Sequence, residues 1–207
     1  MRKYITEFIG TFFLVLTIGL TAGIGPFAPL AIGTALMVMI YAGGHVSGAH
    51  YNPAVTLAVL IRGKVNLSEA MVYMGSQLAG GVVAAFVVGI FIKAPEQAIQ
   101  SLDTTKALAA EVLGTFALAY VVLNVATARA NAQPTNSFYG LAIGFTVMSM
   151  AFALGAYSGG AFNPAVAVAA SVMKAFEWGN IWIYLLGCFG GAALAGFVFK
   201  IINPDDK

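Results

Sequence analysis

The apolar residues of this chain are grouped in long runs, not spaced at helical or strand intervals. Six runs are long enough to cross a bilayer as helices, near residues 4–22, 28–44, 67–92, 107–127, 137–156 and 178–201. Gly25-Pro26, Pro95 and Pro134 punctuate the connections between them. Two further apolar runs, about 53–61 and 164–174, are too short to cross. Each follows a Ser-Gly turn, Ser47-Gly48 in one case and Ser158-Gly159 in the other. A short apolar helix is tolerated at membrane depth only where its ends are buried in protein or line a wet cavity. The pattern therefore predicts two re-entrant half-helices.

Both short runs open on the same tripeptide, Asn52-Pro53-Ala54 and Asn163-Pro164-Ala165, 111 residues apart. Asn is a good helix N-cap, and Pro suits the first helical position, where its missing N–H costs nothing. The repetition extends further. Glu7-Phe8-Ile9-Gly10-Thr11-Phe12 in the first run matches Glu111-Val112-Leu113-Gly114-Thr115-Phe116 in the fourth, at an offset of 104. Tyr73, Gly80 and Gly81 in the third align with Tyr184, Gly191 and Ala192 in the sixth, at 111. Each half holds three spans and one half-helix. Three is odd, so the second half must insert upside down relative to the first. The predicted fold is an all-α membrane protein, with six transmembrane helices plus two re-entrant half-helices in an inverted repeat. One domain is expected over 1–207, with repeats of about 1–100 and 104–207. Such an architecture places its site at the midplane between the halves.

Composition narrows the function classes. Of 207 residues, 60% are hydrophobic and 9% charged, whereas a soluble domain carries roughly 25% charged residues. A net charge of +2 is too small to suggest a nucleic-acid partner. The single Cys188 excludes an internal disulfide framework and a Cys-rich metal site, and no cofactor is expected. Met1-Arg2-Lys3 leads into a run long enough to span without a cleavage pattern, so no cleavable signal is expected. With a cytoplasmic N-terminus, six spans place Arg2, Lys3, Arg62, Lys64, Arg129, Lys200 and Lys207 inside and only Lys93, Lys106 and Lys174 outside. That distribution predicts both termini in the cytoplasm. The compact loops suggest a prokaryotic inner membrane.

In an inverted pair the two half-helix N-termini meet near the bilayer centre. Each carries roughly half a positive charge and free N–H groups. A lumen between them is hostile to cations, while the Asn52 and Asn163 side chains offer N–H donors to a passing oxygen. Neutral solutes with lone pairs are favoured. A coupled transporter would need a paired ion-binding carboxylate near the midplane, for which only Glu7 and Glu111 are available. Ser47 and Ser158 have no evident base or orienter, so no enzyme chemistry is expected.

These residues resemble the aquaporin (major intrinsic protein) family. The resemblance covers essentially the whole chain: six spans, both Asn-Pro-Ala motifs, Gly44-His45-Val46-Ser47-Gly48-Ala49-His50 before the first motif, and the Glu of spans one and four. It implies an aquaporin-like channel for small neutral solutes, assembled as a homotetramer in the lipid bilayer with one pore per subunit. It also implies that Glu7 and Glu111 accept hydrogen bonds from loop backbone and hold the half-helices in place. Gln77 is expected to assist Glu7, although its repeat position is Cys188 and the symmetry breaks there. Gly10, Gly114, Gly80 and Gly191 are expected to permit close helix crossing. His45 and His50 flank the first motif as hydrogen-bonded loop residues, His45 at a possible cytoplasmic vestibule.

The chain departs from the family at the outer constriction. Most members place Arg directly after the second Asn-Pro-Ala; here the residue is Val166. The other constriction positions fall on Ile32, Ala151 and Gly160. Without aromatic rings or a guanidinium, the set predicts a wide, apolar constriction. Candidate solutes are water, glycerol, urea, ammonia, hydrogen peroxide and metalloid acids. The alternative is a water-restricted aquaporin in which Tyr157 or Phe162 closes the gap. Lys174 and Glu177, near the outer mouth, are expected to be solvated surface charges.

Overall fold

The structure, a computed structural model, describes residues 1–92, 102–129 and 136–206. Pro95, Pro134, Lys93 and Lys207, which carry connection and charge expectations, lie outside the described residues. Eight α-helices are formed among the described residues: α1 (Arg2–Thr21), α2 (Ala28–Ser47), α3 (Pro53–Arg62), α4 (Leu67–Phe91), α5 (Thr104–Val122), α6 (Tyr139–Ser158), α7 (Pro164–Val172) and α8 (Ile181–Ile202). Six are long and apolar enough to cross a membrane, and α3 and α7 are the short ones. All eight coincide with the expected runs to within a few residues. A five-residue π-helical turn, Leu123–Thr127, continues α5.

Local chemistry sets the starts. Asn52, Asn66, Asp103 and Asn163 each cap the following helix by accepting a backbone N–H on the side-chain oxygen. Pro53 and Pro164 occupy first helical positions. The αL residues Gly48, Gly63 and Gly159 end α2, α3 and α6.

Packing obeys the repeat. The closest partners are α1 with α4 and α5 with α8, and α2 crosses α6 between the halves. Close approach needs missing side chains at a few points. Gly80 lies on the Phe8 carbonyl, Gly191 on that of Val112, and Gly33 and Gly144 lie on each other's carbonyls. A Cβ at any of these would overlap backbone, so the expectation for Gly80 and Gly191 holds. Gly10 and Gly114 serve a different purpose: they receive the rings of Tyr51 and Phe162.

The end of α3 is tied to the C-terminal tail. Arg62, buried at the last turn of α3, donates to Asp206 Oδ1 at 2.6 Å and lies over the Phe199 ring at 4.8 Å. Asp206 Oδ2 accepts the Arg129 backbone N–H at 2.8 Å. That hydrogen bond, and then the nearby charges of Arg62, Lys64 and Arg129, hold the Asp206 carboxyl below its ordinary value. A depressed carboxylate stabilises the fold at pH above its unfolded value and loses that contribution as pH falls through the folded one. The melting temperature of wild type should therefore exceed that of Asp206→Asn at neutral pH, and the gap should close below about pH 4. A gap independent of pH would contradict this assignment.

Candidate functional site

The site begins with two loops that must reverse direction inside a bilayer. Ser47 to Tyr51 joins α2 to α3, and Ser158 to Phe162 joins α6 to α7. Both loops hold non-glycine residues in the left-handed region: Ala49 (φ 52°), Tyr51 (φ 48°) and Phe162 (φ 48°). Strain of this kind costs on the order of 1–3 kcal/mol per residue and persists only where surroundings over-determine it.

Glu7 and Glu111 supply that determination. Glu7 is fully buried. Its Oε1 accepts the Ser47 hydroxyl at 2.6 Å and the His50 N–H at 3.0 Å; its Oε2 accepts the Tyr51 N–H at 2.7 Å. Glu111, also fully buried, repeats the pattern with Ser158 (2.7 Å), the Ala161 N–H (3.0 Å) and the Phe162 N–H (2.7 Å). Each carboxylate thus satisfies loop backbone donors that have no helical partner. The aromatic ring that follows docks on the helix bearing the carboxylate. Tyr51 lies on Gly10 and Phe162 on Gly114, where a Cβ would overlap the ring.

Gln77 completes the first cradle by donating to Glu7 Oε2 at 2.7 Å. The sequence breaks symmetry at its mate, yet the contact is kept: the Cys188 thiol donates to Glu111 Oε2 at 3.3 Å. Three pairs of contributors were not assigned this role from the sequence. The Ser47 and Ser158 hydroxyls also accept the N–H of Ala49 and Gly160. Tyr73 and Tyr184 donate their hydroxyls to the carbonyls of Ser47 and Ser158, at 2.9 and 2.7 Å. Tyr51 and Phe162 anchor the loops by their rings. The 111-residue repeat marks all three pairs, because each member has its mate at that spacing.

Asn52 and Asn163 face each other across the two halves. Asn52 Nδ2 donates to the Phe162 carbonyl at 2.9 Å, and Asn163 Nδ2 donates to the Tyr51 carbonyl at 2.9 Å. Their Oδ1 atoms accept the N–H of Ala54 and Ala165, at 2.8 and 2.9 Å. Each carboxamide has two N–H donors. One is committed to the opposite loop, a contact that the sequence reading did not include.

A cavity of about 1060 Å³ runs along this junction. Ile32, Ala151, Gly160 and Val166 all line it, together with Asn52 and Asn163. Among the described residues no Asp, Glu, Lys or Arg lines it, and its polar side chains are His50, Tyr51, Asn52 and Asn163. His50 Nδ1 lies 3.1 Å from Thr56 Oγ1, and the Tyr51 hydroxyl donates to the Met39 carbonyl. His45 is exposed on the last turn of α2 and is not among the lining residues. Tyr157 is exposed and is not among the lining residues, and the Phe162 ring is seated on Gly114. Lys174 and Glu177 are exposed and are not lining residues either.

Two helix N-termini joined head to head across an uncharged lumen form an arrangement that can be matched to known proteins. The model of the major intrinsic protein family matches residues 1–199. The chain belongs to the major intrinsic protein family. Similar members of that family include the probable aquaporin NIP4-2 of Arabidopsis thaliana, 32% identical over all of this chain and 76% of the relative. The glycerol uptake facilitator protein-like 6 of Lactiplantibacillus plantarum is 33% identical, with both chains fully covered. The aquaglyceroporin structure from Plasmodium falciparum superposes with a TM-score of 0.81 at 25% identity, covering 98% of this chain and 97% of that one. The fold is therefore the aquaporin fold, and the protein is a multi-pass integral membrane protein of a family of passive channels for water and small solutes.

Proposed function

We propose that this major intrinsic protein passes water and small uncharged solutes through a wide, apolar outer constriction made by Ile32, Ala151, Gly160 and Val166. Glycerol, urea, ammonia, hydrogen peroxide and metalloid acids are the candidate solutes. The observation that carries the proposal is the cavity wall: it bears no charged side chain among the described residues, and Val166 stands where an arginine would narrow it. The names of two similar proteins, a glycerol uptake facilitator and an aquaglyceroporin, point the same way. Cations are opposed by the paired positive ends of α3 and α7 and by the lack of a carboxylate along the lumen among the described residues. We further propose one channel domain over the whole chain, both termini in the cytoplasm of a prokaryotic cell, and a homotetramer. Glu7, Glu111 and Gln77 act as supports for the half-helices, and His45 lies outside the pore wall. The engagement of both glutamates by their loops also argues against a coupled transporter, because neither carboxylate is left to bind an ion.

The test is osmotic. Proteoliposomes are shrunk with glycerol, urea or an impermeant sugar, and reswelling is followed by light scattering. Fast reswelling with glycerol or urea, relative to empty liposomes, is the expected outcome. Acceleration of the water phase alone would support the water-restricted alternative.

A further inference from the structure

The inverted repeat implies that every residue of the outer constriction has a mate on the opposite side of the Asn-Pro-Ala pair. At the 111-residue spacing, α2 and α6 correspond residue for residue. Ile32 maps to Ile143, Ala151 to Ile40, Gly160 to Ala49 and Val166 to Val55. All four mates line the same cavity. They form a second ring in the half of the pore that the positive-inside distribution assigns to the cytoplasm.

The two rings differ in size. The inner one carries isoleucine where the outer carries alanine, and alanine where the outer carries glycine. Burial agrees with this difference. Ile40, Ile143, Ala49 and Val55 are all buried, with Ile40 at 1% exposure. In the outer ring only Val166 is buried, and the other three positions are half-buried. On the wall formed by α1 and α5 the difference runs the other way, Ile18 against Val122, but it amounts to one methylene. The inner half also carries the imidazole of His50, whose mate Ala161 has only a methyl group.

From this asymmetry we infer that Ile40 and Ile143, on the inner side of the Asn-Pro-Ala pair, are the residues that set the size limit of the pore. The outer ring has lost the bulk that would make it limiting, so the mate ring becomes the narrower of the two. The inference rests on the channel reading above. It makes Ile40 and Ile143 specificity-determining residues that discriminate by volume alone, since isoleucine offers no hydrogen bond. The solutes affected are uncharged polyols at the upper size limit, and water is affected least.

The experiment uses full-length protein in proteoliposomes, with water, glycerol and erythritol as probes. Ile40→Ala and Ile143→Ala should each raise the erythritol-to-water permeability ratio about tenfold, the lower range of what a change of pocket volume yields. The same truncation at Ile32, in the outer ring, should raise it less. A rise with Ile32→Ala equal to or greater than that with both inner variants would overturn the inference. Two inner variants are used so that poor folding of one leaves the comparison intact. Failure of the channel reading gives a different signature: wild-type vesicles would be no faster than empty ones for water and for every solute.

Discussion

Glu111→Ala should lower the melting temperature of the purified protein sharply, with a loss of stability of about 2–6 kcal/mol. That figure follows from two buried backbone N–H groups, those of Ala161 and Phe162, each losing its acceptor at about 1–3 kcal/mol. The Ser158 hydroxyl and the Cys188 thiol lose the same partner. Such a loss is a large share of the stability of an ordinary protein. It would fall on the loop that holds Phe162 in a left-handed conformation, so the position of Asn163 would be lost with it. Glu111→Gln keeps the shape and one acceptor oxygen and should give an intermediate loss. Glu7→Ala and Glu7→Gln should behave alike, because the first cradle has the same geometry. Thermal denaturation in detergent, read from intrinsic fluorescence, checks the order wild type, Gln, Ala. An Ala variant that melts with wild type would remove both glutamates from the role of half-helix support.

The second large effect concerns selectivity. Val166 sits on the first turn of α7 and lines the cavity. Val166→Arg brings a long side chain and a permanent charge to that wall. Two consequences follow. The guanidinium fills space that glycerol and urea need, and its charge adds to the positive end of α7, which strengthens the opposition to cations. Larger solutes should therefore be suppressed about tenfold more than water, in line with discrimination by pocket volume. Parallel measurement of water, urea and glycerol permeability on wild-type and variant liposomes gives the ratio directly. Equal loss of all three would mean that residue 166 does not stand on the solute path.

Much of the architecture is legible in the sequence alone. Six spans, two half-helices and their Asn-Pro starts were read from run length and capping chemistry, which act over a few residues. The inversion followed from counting spans in a repeat. Local rules reached less far at the contacts. Gly10 and Gly114 looked like helix-crossing positions, but they hold the rings of Tyr51 and Phe162, residues from loops distant in sequence. Cys188 looked like a break in symmetry, yet its thiol takes the place of the Gln77 amide on the matching carboxylate. A thiol and an amide share no sequence signature, only the ability to donate one hydrogen bond. Tyr157 is a candidate to close the outer gap, but which residues reach the lumen depends on how α6 packs, and Tyr157 is exposed and does not line the cavity.

The sequence by itself determined that this protein lies in a membrane, that it is folded as two inverted halves, and that an uncharged valine follows the second motif. Those properties depend on composition, run length and the identity of single residues. Only the tertiary structure decided that Asn52 and Asn163 spend a donor on each other's loops, and that Glu7 and Glu111 are fully engaged. It also decided that the four outer positions and their four mates share one lumen. These are contacts between residues from 40 to 112 positions apart. Such pairings arise when packed helices bring two chain segments together, and no local propensity encodes them.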